Sequence, residues 1–172
     1  LVNYSSMQNQ NLFPQCMSMF SAQLQSSVSE QSNVEPAPLS RGNFYALFSQ
    51  TIEHQGQPVH FDGMTRVSGL KIYKQSHIVL QNSGTYLLSY TFPPCQGVTS
   101  GDFVGIKVND NWITTSLQSL SLDEVGIHKT FLFDLMEGQE LHMAVQSEKT
   151  IILQAGNSNA NLCLLHVVGR KL

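Results

Sequence analysis

Charge is what this chain has least of. Asp, Glu, Lys and Arg make up 12% of its 172 residues, about half the usual share for a soluble protein. No run of Lys or Arg occurs and the formal net charge is -3, so the clustered cations that neutralise phosphates are missing and a nucleic-acid footprint is excluded. Long apolar runs are missing too. Nothing approaches the roughly 18 residues that a spanning helix needs, so insertion into a membrane is not expected. The opening "LVNYSSMQNQ" lacks the charged and apolar regions of a signal peptide. The expectation is a chain that reaches a surface by another route, or one whose leader has been removed. Cysteine is scarce: Cys16, Cys95 and Cys163 are odd in number and irregular in spacing, which fits no paired metal pattern. Cys163, inside "NLCLLHVV", reads as a small buried hydrophobe. Cys95, in "PPCQG", reads as the more exposed thiol. Cys16 or Cys95 could cross-link chains, against the plainer reading of unpaired thiols.

Polarity is carried instead by Ser, Gln, Asn and Thr. Such a surface suits an extracellular structural protein better than a cytosolic enzyme. Residues 1–40 differ in kind from the rest: they contain no Lys or Arg and lead into the domain through the Pro-punctuated "NVEPAPLSRGN" (Asn33 to Asn43), which reads as a linker. Within this tail Phe13, Met17, Phe20, Leu24 and Val28 recur at helical spacing, so a short helix is one expectation and disorder the other. Residues 41–172 form the domain.

From Gly42 onward, short alternating runs separated by turn residues predict an all-β sandwich. The expected strands are 43–52, 58–61, 66–73, 77–81, 85–92, 102–108, 111–117, 127–135, 139–146 and 161–168. "NSG" precedes one strand, "NDN" (Asn109 to Asn111) makes a tight hairpin, and "MEG" (Met136 to Gly138) links another pair. "DFVGIKV" and "ELHMAVQ" alternate cleanly and are expected to keep one wet face. "NFYALFSQ", "TYLLSYTF", "KTFLFDL" and "NLCLLHVV" carry large apolar residues on both faces. With no helix to cover the second face, another copy of the sheet is the cheapest cover, which predicts a homo-oligomer. The competing expectation is that the tail folds back over that face.

"SGTYLLSYTF" resembles the Gly-x-Tyr strand in the globular heads of complement-type and tumour-necrosis-factor-like proteins. Gly84, Tyr86 and Tyr90 match, and Leu88 stands where complement heads usually have Phe. "VGIKVNDNWI" resembles that family's strand, Asn-turn, strand hairpin. "LFDLMEGQELHMAV" resembles its leucine-to-glycine turn into a strand, and "NANLCLLHVV" its closing strand. Similarity is greatest to the bacterial branch, the carboxyl-terminal domains of collagen-like spore-surface glycoproteins and basal-layer exosporium proteins, and it covers residues 43–168. The resemblance implies a ten-stranded jelly roll assembled as a homotrimer through one sheet. Candidates for that interface are Phe44, Tyr45, Leu47, Tyr86, Leu88, Tyr90, Phe131, Phe133, Leu164 and Leu165; which face of the closing strand meets the axis stays open. No Gly-X-Y collagen stretch is present, and the tail maps onto nothing in the family.

Catalytic patterns are absent. There is no Gly-x-Ser-x-Gly elbow, His-Glu-x-x-His helix or phosphate loop. A jelly roll can be a cupin-type metalloenzyme, but His54, His60, His77, His128, His142 and His166 are scattered singly, and "EGQELH" offers one His without partners at the required spacing. No cofactor and no metal site are therefore expected. Asp102, Asp110, Asp123 and Glu124 lie in loops and could bind calcium, as some complement-type heads do, though solvated loop carboxylates are commoner. Trp112 could anchor a glycan or protein partner together with Asp102 and Asp110; the plainer reading is half-buried packing. The sequence thus points to a non-enzymatic, trimeric structural protein of a bacterial outer layer, spore exosporium or coat, partnered by itself and by surface-layer proteins or glycans. A ligand- or glycan-binding module of the same fold is the alternative, and a cupin-like metalloenzyme a distant third.

Overall fold

The computed structural model describes residues 39–53, 55–120, 126–154 and 159–169, without the side chains of 168 and 169. The tail with its helical stripe and Cys16, as well as His54, Asp123 and Glu124, lies outside the described residues.

In chain order the strands are β1 (Arg41–Tyr45), β2 (Gln50–Ile52), β3 (Gln57–Pro58), β4 (Gly63–Ser68), β5 (Leu70–Tyr73), β6 (His77–Leu80), β7 (Gly84–Phe92) and β8 (Cys95–Gln96). They continue as β9 (Phe103–Val108), β10 (Asn111–Trp112), β11 (Gln118–Ser119), β12 (Ile127–Leu135), β13 (Glu140–Gln146), β14 (Ile151–Leu153) and β15 (Asn161–Gly169). The first sheet runs β12-β7-β15-β1-β4. The second runs β10-β9-β13-β6-β5, with β11 on β9 and β3 on β13, and a small third sheet joins β2, β14 and β8. Every pairing is antiparallel.

Most consecutive strands change sheets, the exceptions being β5 to β6 and β9 to β11. The expected run 66–73 is split between β4 in the first sheet and β5 in the second. Gly69, at φ +63°, makes the break, a conformation that a Cβ would strain. The run 43–52 is likewise divided into β1 and β2, and 111–117 shortens to β10 followed by a 3-10 turn at Thr114–Ser116. "NDN" is the two-residue hairpin expected: Asn109 and Asp110 have φ of 47° and 62°, and Asn111 pairs with Val108. Both positions of such a turn require positive φ, which Asn and Asp tolerate. "MEG" joins β12 to β13, but those strands belong to opposite sheets, so it is a corner of the sandwich and not a hairpin.

The space between the sheets is filled by strict alternation. On β7, Tyr86, Leu88, Tyr90 and Phe92 point inward, all at 1% exposure or less. Phe44, Leu162 and Leu164 join them from β1 and β15; Ile78, Leu80, Val104, Ile106, Leu141, Met143 and Val145 face them from the second sheet. The two tyrosines keep their hydroxyls satisfied, Tyr86 donating to the Asn82 carbonyl at 2.7 Å and Tyr90 to the Ser116 carbonyl at 2.5 Å. Burial raises both phenol pKa values.

β13 departs from expectation. It was to keep a wet face, yet Leu141 to Val145 are all buried. β13 is central in its sheet, between β9 and β6, and His142 on its outward side is flanked by Lys107 from β9 and by the His77 ring from β6 instead of being left to water.

Candidate functional site

The outward face of the first sheet follows from its registers. Leu132 on β12 pairs with Leu87 on β7, Leu87 with Leu165 on β15, and Leu165 with Arg41 on β1. One cross-strand row therefore carries three leucines. Leu132 is 59% exposed, and Leu87 and Leu165 are half-buried. The next row reads Thr130, Ser89, Cys163 and Asn43, and Thr130 donates to the Ser89 hydroxyl at 2.9 Å. Thr85 donates to Asp134 Oδ1 at 2.6 Å. Hydroxyls that bond to one another across the strands can be covered by a partner with little desolvation cost, while the leucine row gains by being covered. Asn43 Oδ1 is buried without a hydrogen-bond partner on this same side, an acceptor left for a donor from elsewhere.

The residues expected at an interface divide by face. Phe44, Tyr86, Leu88, Tyr90 and Leu164 are 0–1% exposed in the single chain. They fill the sandwich and offer nothing to a partner, which corrects their assignment as interface residues. Phe131 and Phe133 are half-buried and pack against that same core. Tyr45 and Leu165 do point outward. Leu47 is 45% exposed in the loop after β1, beside Phe48 at 69%, and both backbone N–H groups donate to Asp62 Oδ2. The alternation of apolar residues does not by itself single out Leu87 and Leu132; the strand register does. Cys163 is half-buried on the outward side, not the interior hydrophobe expected.

The three ligand candidates do not converge. Asp102 and Asp110 sit beyond opposite ends of β9. Asp102 is 4% exposed and ties its own loop, accepting from the Thr99 N–H at 2.6 Å and the Thr99 hydroxyl at 3.1 Å. It is a structural residue, and its charge adds to burial in pushing the Cys95 thiol up to about 11. Cys95 is half-buried in β8. Asp110 is exposed in its turn. Trp112 is half-buried, edge-on to Phe103 at 5.2 Å between ring centroids, with Lys107 Nζ 4.8 Å from its ring centre.

Two histidines expected to stand alone are brought together. His77 and His142 have ring centroids 4.6 Å apart, and Glu140 lies 3.5 Å from His77 Nε2. Burial, then His77 and Lys107, push His142 down to about 4, against the opposing charge of Asp110. His166 is buried and stacks on Tyr86 at 4.8 Å.

No protein-family model and no curated protein matches the chain. Solved structures do. Eiger TNF from S. frugiperda aligns with a TM-score of 0.59 at 10% identity, over 78% of this chain and 96% of that one. Rabbit GITRL aligns with a TM-score of 0.52 at 12% identity, over 78% and 98%. Pika GITRL aligns with a TM-score of 0.50 at 10% identity, over 78% and 99%. At such identities the likeness is one of fold: the domain is an all-β sandwich of the tumour-necrosis-factor jelly-roll kind. Among the described residues no helix is long and apolar enough to cross a membrane.

Proposed function

We propose that the chain is a non-enzymatic assembly protein that forms a homotrimer through the outward face of its first sheet. One observation carries this reading: Leu132, at 59% exposure, continues into Leu87 and Leu165 as an apolar row on a face whose neighbouring hydroxyls bond to one another. A single chain gains nothing by leaving that row in water, and a second copy covers it. The setting is extracellular, and the sequence resemblance to spore-surface and exosporium proteins, with the low-charge, amide-rich composition, supports a structural role in a bacterial outer layer. A second reading is favoured by a different observation. The structural neighbours include a TNF and several GITRLs, so a trimeric ligand-type module would use the same assembly and present its loops to a partner protein or glycan.

Light scattering tests the shared step. The purified chain is expected at three times 19.1 kDa, with or without reductant. A monomer at micromolar concentration would overturn the proposal. Pull-down against surface-layer proteins and glycan arrays then separates the two readings.

A further inference from the structure

The outward face of the second sheet carries another cross-strand row. Trp112 pairs with Lys107, Lys107 with His142, and Tyr73 with His77. β13 and β6 pair Glu140 with Val79 and Leu141 with Ile78, so the next position in register sets His142 beside His77. Glu140 and His142 are two apart on one strand and share a face. One donor atom from each of His77, Glu140 and His142 lies within 4.8 Å of the others.

Ser76 sets one tautomer of His77 against the other. Ser76 is buried, and its hydroxyl donates to the Lys74 carbonyl at 3.1 Å. A hydroxyl has one proton; when it is given to the Lys74 carbonyl, the Ser76 oxygen accepts from His77 Nδ1 at 2.7 Å. In the neutral ring this leaves Nε2 bare, its lone pair facing the Glu140 carboxylate at 3.5 Å. Two lone pairs so placed call for a cation between them. His142 makes the same demand: it is 1% exposed, and its Nδ1 has no hydrogen-bond partner. A metal ion can take electron pairs from all three residues. Lys107, the nearby cation, rests on the Trp112 ring instead.

We propose that His77, Glu140 and His142 form a binding site for a divalent transition metal of the zinc class. Two imidazole nitrogens and one carboxylate oxygen suit zinc and its borderline neighbours; calcium prefers a shell of six to eight oxygens. Metal–ligand bonds of about 2.0–2.2 Å require the donors to draw inward, and the partly exposed side chains of His77 (17%) and Glu140 (41%) have room to do so. The remaining position opens to solvent and takes water. Ser76 acts as a positioning residue by orienting His77. The ion would tie β6 to β13, independently of the assembly face on the other sheet.

The test titrates Zn2+ and Co2+ into the chelator-stripped full chain. One equivalent is expected to bind, with visible Co2+ bands of nitrogen and oxygen ligation and a shift of the His142 ring 15N signals. Glu140→Gln and His77→Gln should weaken binding by tenfold or more, and Ser76→Ala by about tenfold, an outer-shell effect. Circular dichroism checks that each variant is folded, and the wild-type spectra stand whatever the variants do. Failure to bind Zn2+, a sulfur-to-cobalt charge-transfer band, an unmoved His142 signal, or unchanged affinity in Glu140→Gln and His77→Gln would each overturn the site.

Discussion

Leu164 and Leu165 are neighbours in sequence, and a single aspartate at one or the other should produce two different failures. Leu164 is 1% exposed and pairs with Leu88 in the middle of the first sheet. Replacing it forfeits roughly 1.5–3 kcal/mol of apolar burial. The carboxylate that takes its place has no cation and no water, which costs several kcal/mol more even after relaxation. Together these reach ~5 kcal/mol or beyond, against a total stability of about 5–15 kcal/mol for an ordinary domain. Leu164→Asp should therefore unfold the chain.

Leu165 is half-buried on the other side, between Leu87 and Arg41. Its aspartate loses only part of that burial, ~1 kcal/mol, and keeps its water in the single chain. In the assembled state the charge would be dehydrated, so dissociation relieves it. Leu165→Asp should be a folded monomer near 19.1 kDa with the wild type's near-ultraviolet circular dichroism. Leu132→Asp, at a position 59% exposed, should do the same with even less cost to the fold. Circular dichroism and light scattering on the three proteins read both quantities. Native dichroism in Leu164→Asp would refute the assignment of the inner face; wild-type mass in both Leu165→Asp and Leu132→Asp would refute the assembly face.

Cys95 should be a sluggish nucleophile. Its thiol is pushed up to about 11 from 9.0 by burial and then by Asp102, so near pH 8 iodoacetamide should label it about 100-fold more slowly than an unperturbed thiol. The unfolded thiol ionises first, so this group's contribution to stability is present below pH 9 and is lost as pH rises toward 11. Peptide mapping that found labelling at the unperturbed rate would contradict the burial. Ser116→Ala should cost about 1–3 kcal/mol in urea unfolding, because the buried hydroxyl accepts from the Ile106 N–H at 2.8 Å and donates to the Ile113 carbonyl at 2.6 Å; an unchanged midpoint would mean that water replaces it.

What was legible in the sequence was local. The Asn109 and Asp110 turn and the sandwich class depend on neighbours a few residues apart, and they are found where spacing put them; the alternation of β7 was legible too, but not which of its faces turns inward, and Tyr86, Leu88 and Tyr90 were expected at the interface instead. Pairing between distant strands was not legible. Alternation shows that Leu164 and Leu165 take opposite faces; only the β15 and β7 register, with burial, shows that Leu164 is the inner one. The same gap hid the histidine pair, since "ELH" puts Glu140 and His142 on one face but says nothing of His77, which arrives from β6. It also misjudged β13, whose polar His142 reads as solvent-facing until Lys107 and His77 are brought against it. Apolar or half-apolar second faces thus have two outcomes in this chain. In the second sheet His77 and Lys107 from adjoining strands lie over the buried His142; in the first, Leu132 stays 59% exposed beside the half-buried Leu87 and Leu165, and that is the row the proposed assembly would cover.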